Sequence, residues 1–186
     1  MDAEPEDPTP IGWPIQTIDF EASSLDDGTY PIEVGVARWT SPDRPIESWS
    51  SLISPPSDWT RYGSWSTRSV GIHGISRDEL TRGLQPDEVM RHLNTILGKD
   101  MAYCDGGAFD RHWLAMLQHA AGRTATFDLG DFAMLTLKLP HAGHQRLSSW
   151  LQASPPPHRA RQDAERLIKA MARGMGVTYG QVIDLA

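Results

Sequence analysis

The stretch WPIQTIDFEA, residues 13–22, is rich in strand formers, yet it carries Asp19 and Glu21 two positions apart. Side chains at i and i+2 of a strand lie on one face, so both carboxylates point the same way. Charge is costly to bury, and neighbouring carboxylates repel and raise one another's pKa. Two arrangements satisfy this. One is a solvent-facing strand with scattered charges. The other is a divalent-cation site, because a cation such as Mg²⁺ takes oxygen ligands and relieves the repulsion. Spacing alone leaves both open.

The flanking sequence fixes what this strand belongs to. YPIEVGVARWT (30–40) and RPIESWSSLIS (44–54) are two further strand-like runs, and SSLDDGTYP supplies turn chemistry around Asp27-Gly28. Three consecutive antiparallel strands are therefore predicted. SPPSDWTRYGSW (54–65) reads as a loop. Ser76 and Glu79 form a capping-box pattern that opens a short helix. QPDEVMRHLNTILG (85–98) predicts a helix with Val89, Leu93, Ile96 and Leu97 in one stripe. DMAYCD (100–105) is a strand, FDRHWLAMLQHAAG (109–122) a helix, and ATFDLGD (125–131) a last short strand running into FAMLTLKLP. Two helices close the chain, over HQRLSSWLQAS (144–154) and within PPPHRARQDAERLIKAMARGMG (155–176). The order β-β-β-α-β-α-β-α-α predicts a mixed central β-sheet flanked by helices, a three-layer α/β domain.

At 186 residues the chain suits one domain, over 13–186, preceded by a flexible acidic, proline-rich tail at 1–12. Cys104 is the sole cysteine, which excludes an intrachain disulfide and a cysteine zinc site and suits a reducing cytoplasm. No apolar run approaches the length of a membrane span, and the start lacks the pattern of a signal peptide. A formal net charge of −7 argues against broad electrostatic grip on duplex DNA. It leaves room for a small site that neutralises phosphates with metal ions.

Two other stretches carry candidate chemistry. In YCDGGAFDRHWL (103–114), Asp110 opens a helix, where a carboxylate is either a complement to the helix dipole or a ligand; Asp105 is the competing carboxylate. In HRARQDAERL (158–167), His158 and Asp163 are five residues apart. Five residues turn a helix by about 500°, so the pair aligns only if His158 sits at the frayed helix start. The plainer reading is a surface histidine, with Asp163 paired to Arg159 or Arg166.

Taken together and in this order, the D-x-E strand, the F-D helix start and H-x-x-x-x-D resemble the DEDDh branch of the DnaQ-like 3′→5′ exonucleases. YPIEVGVA is similar to that family's second strand, GIHGIS to its H-G-I segment, GGAFD to its H-N-x-x-F-D motif and HRARQDA to its H-R-A-x-x-D-A motif. The resemblance spans roughly residues 15–175. It departs at Asp105-Gly106, where the family often has His-Asn, and DLGDFAML matches only loosely, leaving Asp128 and Asp131 as caps or surface charges.

The resemblance implies an RNase H-like three-layer α/β/α fold. It implies hydrolysis of phosphodiester bonds at 3′ ends of single-stranded DNA or RNA, releasing nucleoside 5′-monophosphates. Asp19, Glu21, Asp110 and Asp163 would hold two divalent ions, Mg²⁺ or Mn²⁺, with His158 as general base, and activity would fall in acid. Ala22, Ser23, Ser24 and Leu25 would contact the last nucleotide, although Leu25 fits a core position equally well. His73 either approaches that nucleotide or satisfies a turn. Trp113 and Trp150 sit at core spacing, and Trp59, Tyr62 and Trp65 are open to either role. Arg159, Arg161 and Arg166 face phosphates or a solvated helix surface. The implied partner is a single-stranded 3′ end, without a membrane, with a homodimer or a polymerase partner as further expectations. The competing reading is a catalytically silent nucleic-acid-binding or polymerase-associated module of the same fold; five occupied catalytic positions argue against it.

Overall fold

The computed structural model describes residues 11–185. Of the expected tail, residues 1–10 lie outside the described residues, and Ile11 packs against the core. The elements are β1 (Ile15–Ala22), β2 (Pro31–Trp39), β3 (Ile46–Leu52), α1 (Ser57–Tyr62), α2 (Thr67–His73), α3 (Arg77–Leu80), α4 (Pro86–Leu97), β4 (Met101–Cys104), α5 (Ala108–Ala121), β5 (Asp128–Asp131), α6 (Phe132–Thr136), α7 (His141–Ala153), α8 (Ala160–Met175) and β6 (Val182–Asp184).

The strands form one six-stranded sheet in the order β5-β4-β1-β2-β3-β6. Only β2 runs against the rest: it pairs antiparallel with β1 and β3, while β4 lies parallel to β1 and β5, and β6 parallel to β3. The mixed sheet flanked by helices is the predicted three-layer architecture.

Alternation along β1 sorts the two layers. Ile18, Phe20 and Ala22 face a cluster with Val89, Leu93, Leu97 from α4 and Trp113, Leu114, Leu117 from α5. Ile15 faces the other cluster, built on Leu147 of α7 and on Ala164, Leu167, Ile168 and Met171 of α8. Each fully buried Ile or Leu contributes roughly 1.5–3 kcal/mol, and these apolar contacts offset the cost of setting Thr17, Asp19 and Glu21 in the same strand. A small third cluster of Tyr30, Ile32, Ile75 and Leu80 sits under α2 and α3. Trp113 is buried, as its spacing predicts, and Trp150 packs against the second cluster. Trp59 and Trp65 pack partly against the third cluster, whereas Tyr62 is exposed.

Several expectations change. The strand begins at Ile15 rather than Trp13, since Pro14 brings no N–H to a ladder. The 54–65 loop contains α1, and α2 follows it, capped by Ser66 and closed by Gly74 in the left-handed region. FAMLT is helical, started by the Asp131 side chain accepting from Ala133 N–H. β6 was not expected: its three exposed residues form a strand only because the edge of β3 offers free backbone groups. No helix among the described residues is long and apolar enough to cross a membrane.

Candidate active site

The odd-numbered face of β1 runs from apolar Ile15, through Thr17, to Asp19 and Glu21 at its C-terminal end. The register carries this pattern onto β2: Ala37 lies opposite Thr17, Gly35 opposite Asp19, and Glu33 opposite Glu21. This face is covered by α8, and two features set how closely. Gly35 packs directly under the start of α8, where a Cβ would fall inside the Ala160–Arg161 peptide. Thr17 Oγ1 donates to Ala164 O at 2.7 Å, tying β1 to the second turn of the same helix.

Glu33 then fixes the helix start. Its carboxylate accepts from Arg159 Nε at 3.1 Å and Nη2 at 2.8 Å, and from Ala160 N–H at 3.0 Å. Like charges directly opposite on an antiparallel pair are unfavourable. Here the guanidinium takes Glu33 bidentately and leaves Glu21 facing the cleft. His158, just before α8, has φ 57°, the one positive value among described non-glycine residues. Such a backbone is uncommon for histidine and costs about 1–3 kcal/mol. It swings the ring to where its nitrogen and one oxygen each of Glu21 and Asp163 lie within 4.8 Å of one another. His158 and Asp163, separated by more than a helical turn, thus share one cleft because His158 lies outside the helix.

That cleft, about 330 Å³, is lined by Asp19, Glu21, Asp105, His158, Asp163 and Arg166 among others. Asp163 Oδ2 accepts from Arg159 N–H at 3.0 Å, while Oδ1 is buried without a hydrogen-bond partner. A buried orphan acceptor is costly, and a cation would satisfy it. Asp110 stands behind the lining, 1% exposed at the start of α5. Its Oδ2 accepts from Gly106 N–H at 2.8 Å, and a Cβ on Gly106 would come within 2.6 Å of that oxygen. The Cys104 thiol lies alongside. Burial of Asp110 outweighs the hydrogen bonds from Cys104 and Gly106 and raises its pKa to about 6, and burial pushes Cys104 up to about 12.

Electrostatically the carboxylates are one group. Asp19 is held well above the usual carboxylate range by burial first, then by the charges of Asp110, Glu21 and Asp163. Burial followed by the charge of Asp163 lifts Glu21 to about 8. Burial also raises Asp163 and Asp105. Concentrated negative charge that protein partners leave uncompensated fits hard divalent cations with oxygen ligands.

The residues expected against a terminal nucleotide divide. Leu25 is 65% exposed. Ala22, Ser23 and Ser24 are buried: Ser23 Oγ accepts from Tyr30 N–H at 3.0 Å, and the Ser24 hydroxyl bonds to Ser64 Oγ. The Ser23 and Ser24 hydroxyls therefore build the β1–β2 turn. His73 is buried too; its Nδ1 accepts from Ile75 N–H at 3.0 Å, which leaves the proton on Nε2. Burial holds this imidazole below its usual range, and the Ala22 backbone lies beside it. The three arginines have protein partners: Arg159 holds Glu33, Arg161 pairs with Asp184, and Arg166, on the cleft wall, donates to Ser154 O and Leu151 O.

Sequence reading missed Glu33, Gly35, Thr17 and Cys104 as supports of the site. Glu33 and Gly35 lie within YPIEVGVA, and their alternation with Ile32 and Val34 was the available signal: a strand with an acid and a glycine on the face of Asp19 and Glu21.

No protein-family model matches the chain, and no curated protein matches it in sequence. Solved structures do match in shape. A full-length 3′-exonuclease superposes with a TM-score of 0.66 at 16% identity, over 88% of this chain and 60% of that one. A 3′-exonuclease described in 3′-end-specific recognition of a histone mRNA stem-loop gives 0.64 at 14% identity, over 89% and 65%. Cell-death related nuclease 4 gives 0.51 at 14%, over 88% and 64%. The chain thus spans less than two thirds of the length of each. The RNase H-like fold that these nucleases share is the fold of this chain.

Proposed function

We propose that the chain is a divalent-metal-dependent 3′→5′ exonuclease, cutting phosphodiester bonds at single-stranded 3′ ends of DNA or RNA and releasing nucleoside 5′-monophosphates. The observation that carries this reading is the meeting of Glu21, His158 and Asp163 within 4.8 Å, against a strand that also bears Asp19. Asp19, Glu21, Asp110 and Asp163 would hold two ions, Mg²⁺ or Mn²⁺. Such ions would supply charge stabilisation for the displacement at phosphorus and a more acidic water.

The remaining roles fall to the chain itself. His158, on the open side of the cleft, accepts the proton of the attacking water. Glu33 and Arg159 position it by fixing the residue that follows it. Asp163 holds its own helix start through Oδ2 and keeps Oδ1 for the cation. Leu25 offers an exposed apolar side chain to the terminal base.

Matched DNA and RNA oligonucleotides, labelled at either end and incubated with Mg²⁺, Mn²⁺ or chelator, test the proposal. Stepwise shortening from the 3′ end that needs metal is expected. The Asp19→Asn variant should stay folded by circular dichroism and lose on the order of 10³-fold in rate, the equivalent of several kcal/mol of metal stabilisation. Intact substrate under all conditions, or equal rates for wild type and Asp19→Asn, would leave the silent accessory module as the better reading.

A further inference from the structure

At the other end of β1–β3, on the α4 face of the sheet, lies an open groove of about 810 Å³. Arg38 of β2, Arg91 of α4 and Arg123, after α5, bring three guanidinium groups to it, against the single carboxylate of Glu47. With Asp87 and Glu88 beside Arg91, the groove is locally neutral in a chain of net charge −7. The ion pairs present are loose: Arg38 to Glu47 at 3.5 Å, and exposed Arg91 to Asp87 and Glu88 at 3.8 and 3.7 Å. Arg123 has no ion pair among the described residues, and Arg38 Nε is buried without an acceptor. In the same groove the His92 ring stacks on Trp49, centroids 5.0 Å apart and planes 9° from parallel. Trp49 is buried beneath, and His92 is exposed above it.

Guanidinium groups with free donors recognise phosphate. A flat ring backed by a second ring and open on its outer side is a platform for an unpaired base. We propose that this groove is a binding site for single-stranded nucleic acid, separate from the carboxylate cleft. The sugar–phosphate chain runs over Arg38, Arg91 and Arg123, and one base extends the Trp49–His92 stack. Arg38 is five residues from Glu33 along β2 and on the opposite face, about 17 Å of strand away. A dinucleotide in the cleft cannot reach the groove; a longer strand passing the sheet edge can.

Binding of a labelled single strand of about ten nucleotides to the full chain, measured by fluorescence anisotropy in chelator, tests this without hydrolysis. Two arginine–phosphate contacts contribute about 1.4 to the slope of log K against log salt. The double variant Arg91→Glu/Arg123→Glu should bind at least tenfold more weakly, with its slope reduced by about that amount. His92→Ala, which keeps the charges, should weaken binding at least about fivefold. Adenosine monophosphate should compete better than pyrophosphate. Wild-type affinity in both variants overturns the proposal, as does equal competition by pyrophosphate, which would mark a site for phosphate alone. Dinucleotide hydrolysis separates this test from that of the enzymatic reading. It should be unchanged in the arginine variant, and its absence from the wild type would count against the exonuclease while leaving the anisotropy result standing.

Discussion

The carboxylate cleft and the arginine groove sit on the same three antiparallel strands, at opposite ends and on opposite faces, and they hold charge in opposite ways. In the cleft, charge is locked in place. Asp110 is fixed by Gly106 N–H, Asp163 by Arg159 N–H, and His158 sits on a left-handed backbone beside a bidentate pair between half-exposed Arg159 and buried Glu33. In the groove, charge lies on long side chains, half-buried at Arg38 and exposed at Arg91 and Arg123, and the ion pairs present are 3.5 Å or more. The first arrangement suits chemistry, where reacting groups must be held in position. The second suits a ligand recognised by its charge and flat bases, for which side chains can adjust.

Substitutions should follow that division. The largest effect is expected for His158→Asn. Asparagine tolerates the left-handed backbone, so the fold and the melting temperature should change little, while kcat falls about 10²–10⁴-fold, the usual worth of a general base. An active His158→Asn enzyme would mean that the strained residue serves the fold rather than the reaction.

The next effect is one of pH. Glu21 has an ordinary value of 4.5 and a folded value of about 8, chiefly through burial. Without cations the folded chain keeps a proton that the unfolded chain has released, so the folded state binds more protons across this window. Stability therefore falls as pH rises from about 4.5 to about 8, by a few kcal/mol or roughly 5–10 °C in melting temperature. Calorimetry in chelator should show that slope, Mg²⁺ or Mn²⁺ should remove it, and Glu21→Gln should flatten it. A metal-free stability that instead rises over this range would mean that the carboxylates are not mutually strained.

A smaller effect is expected at Gly35→Ala. The added methyl meets the Ala160–Arg161 peptide, and the overpacking should cost about 1–3 kcal/mol in denaturant unfolding. Because α8 carries Asp163, activity should drop with it. The smallest effect belongs to the groove: Arg91→Ala breaks two exposed pairs and should change unfolding free energy by less than about 0.5 kcal/mol. A larger loss there would erase the contrast between the two regions.

The sequence made the inner strands and long helices legible because their apolar periodicity is repeated over many residues, as in Val89, Leu93 and Leu97 of α4. It also exposed Asp19, Glu21, His158 and Asp163, whose grouping in one cleft follows from alternation in β1 and from the break before α8. Glu33 and Gly35 were less legible because their roles exist only across a pairing: one answers Arg159, the other leaves room for Ala160. The same holds for Ser23 and Ser24, whose hydroxyls close a turn. The groove was hidden more completely, since Arg38, Trp49, His92 and Arg123 come from four separate segments with no shared motif.

The three-residue β6 has a consequence for solubility. It occupies the outer side of β3, receives Ile46 N–H at Gln181 O and donates Leu185 N–H to Ser48 O. At the opposite margin, β5 is four residues long with an aspartate at each end. Without β6, the margin of β3 would become a bare row of donors and acceptors, a template on which another copy of the chain could add by strand pairing. The three residues of β6 thus screen the sheet margin against strand addition, a task remote from both the carboxylate cleft and the arginine groove.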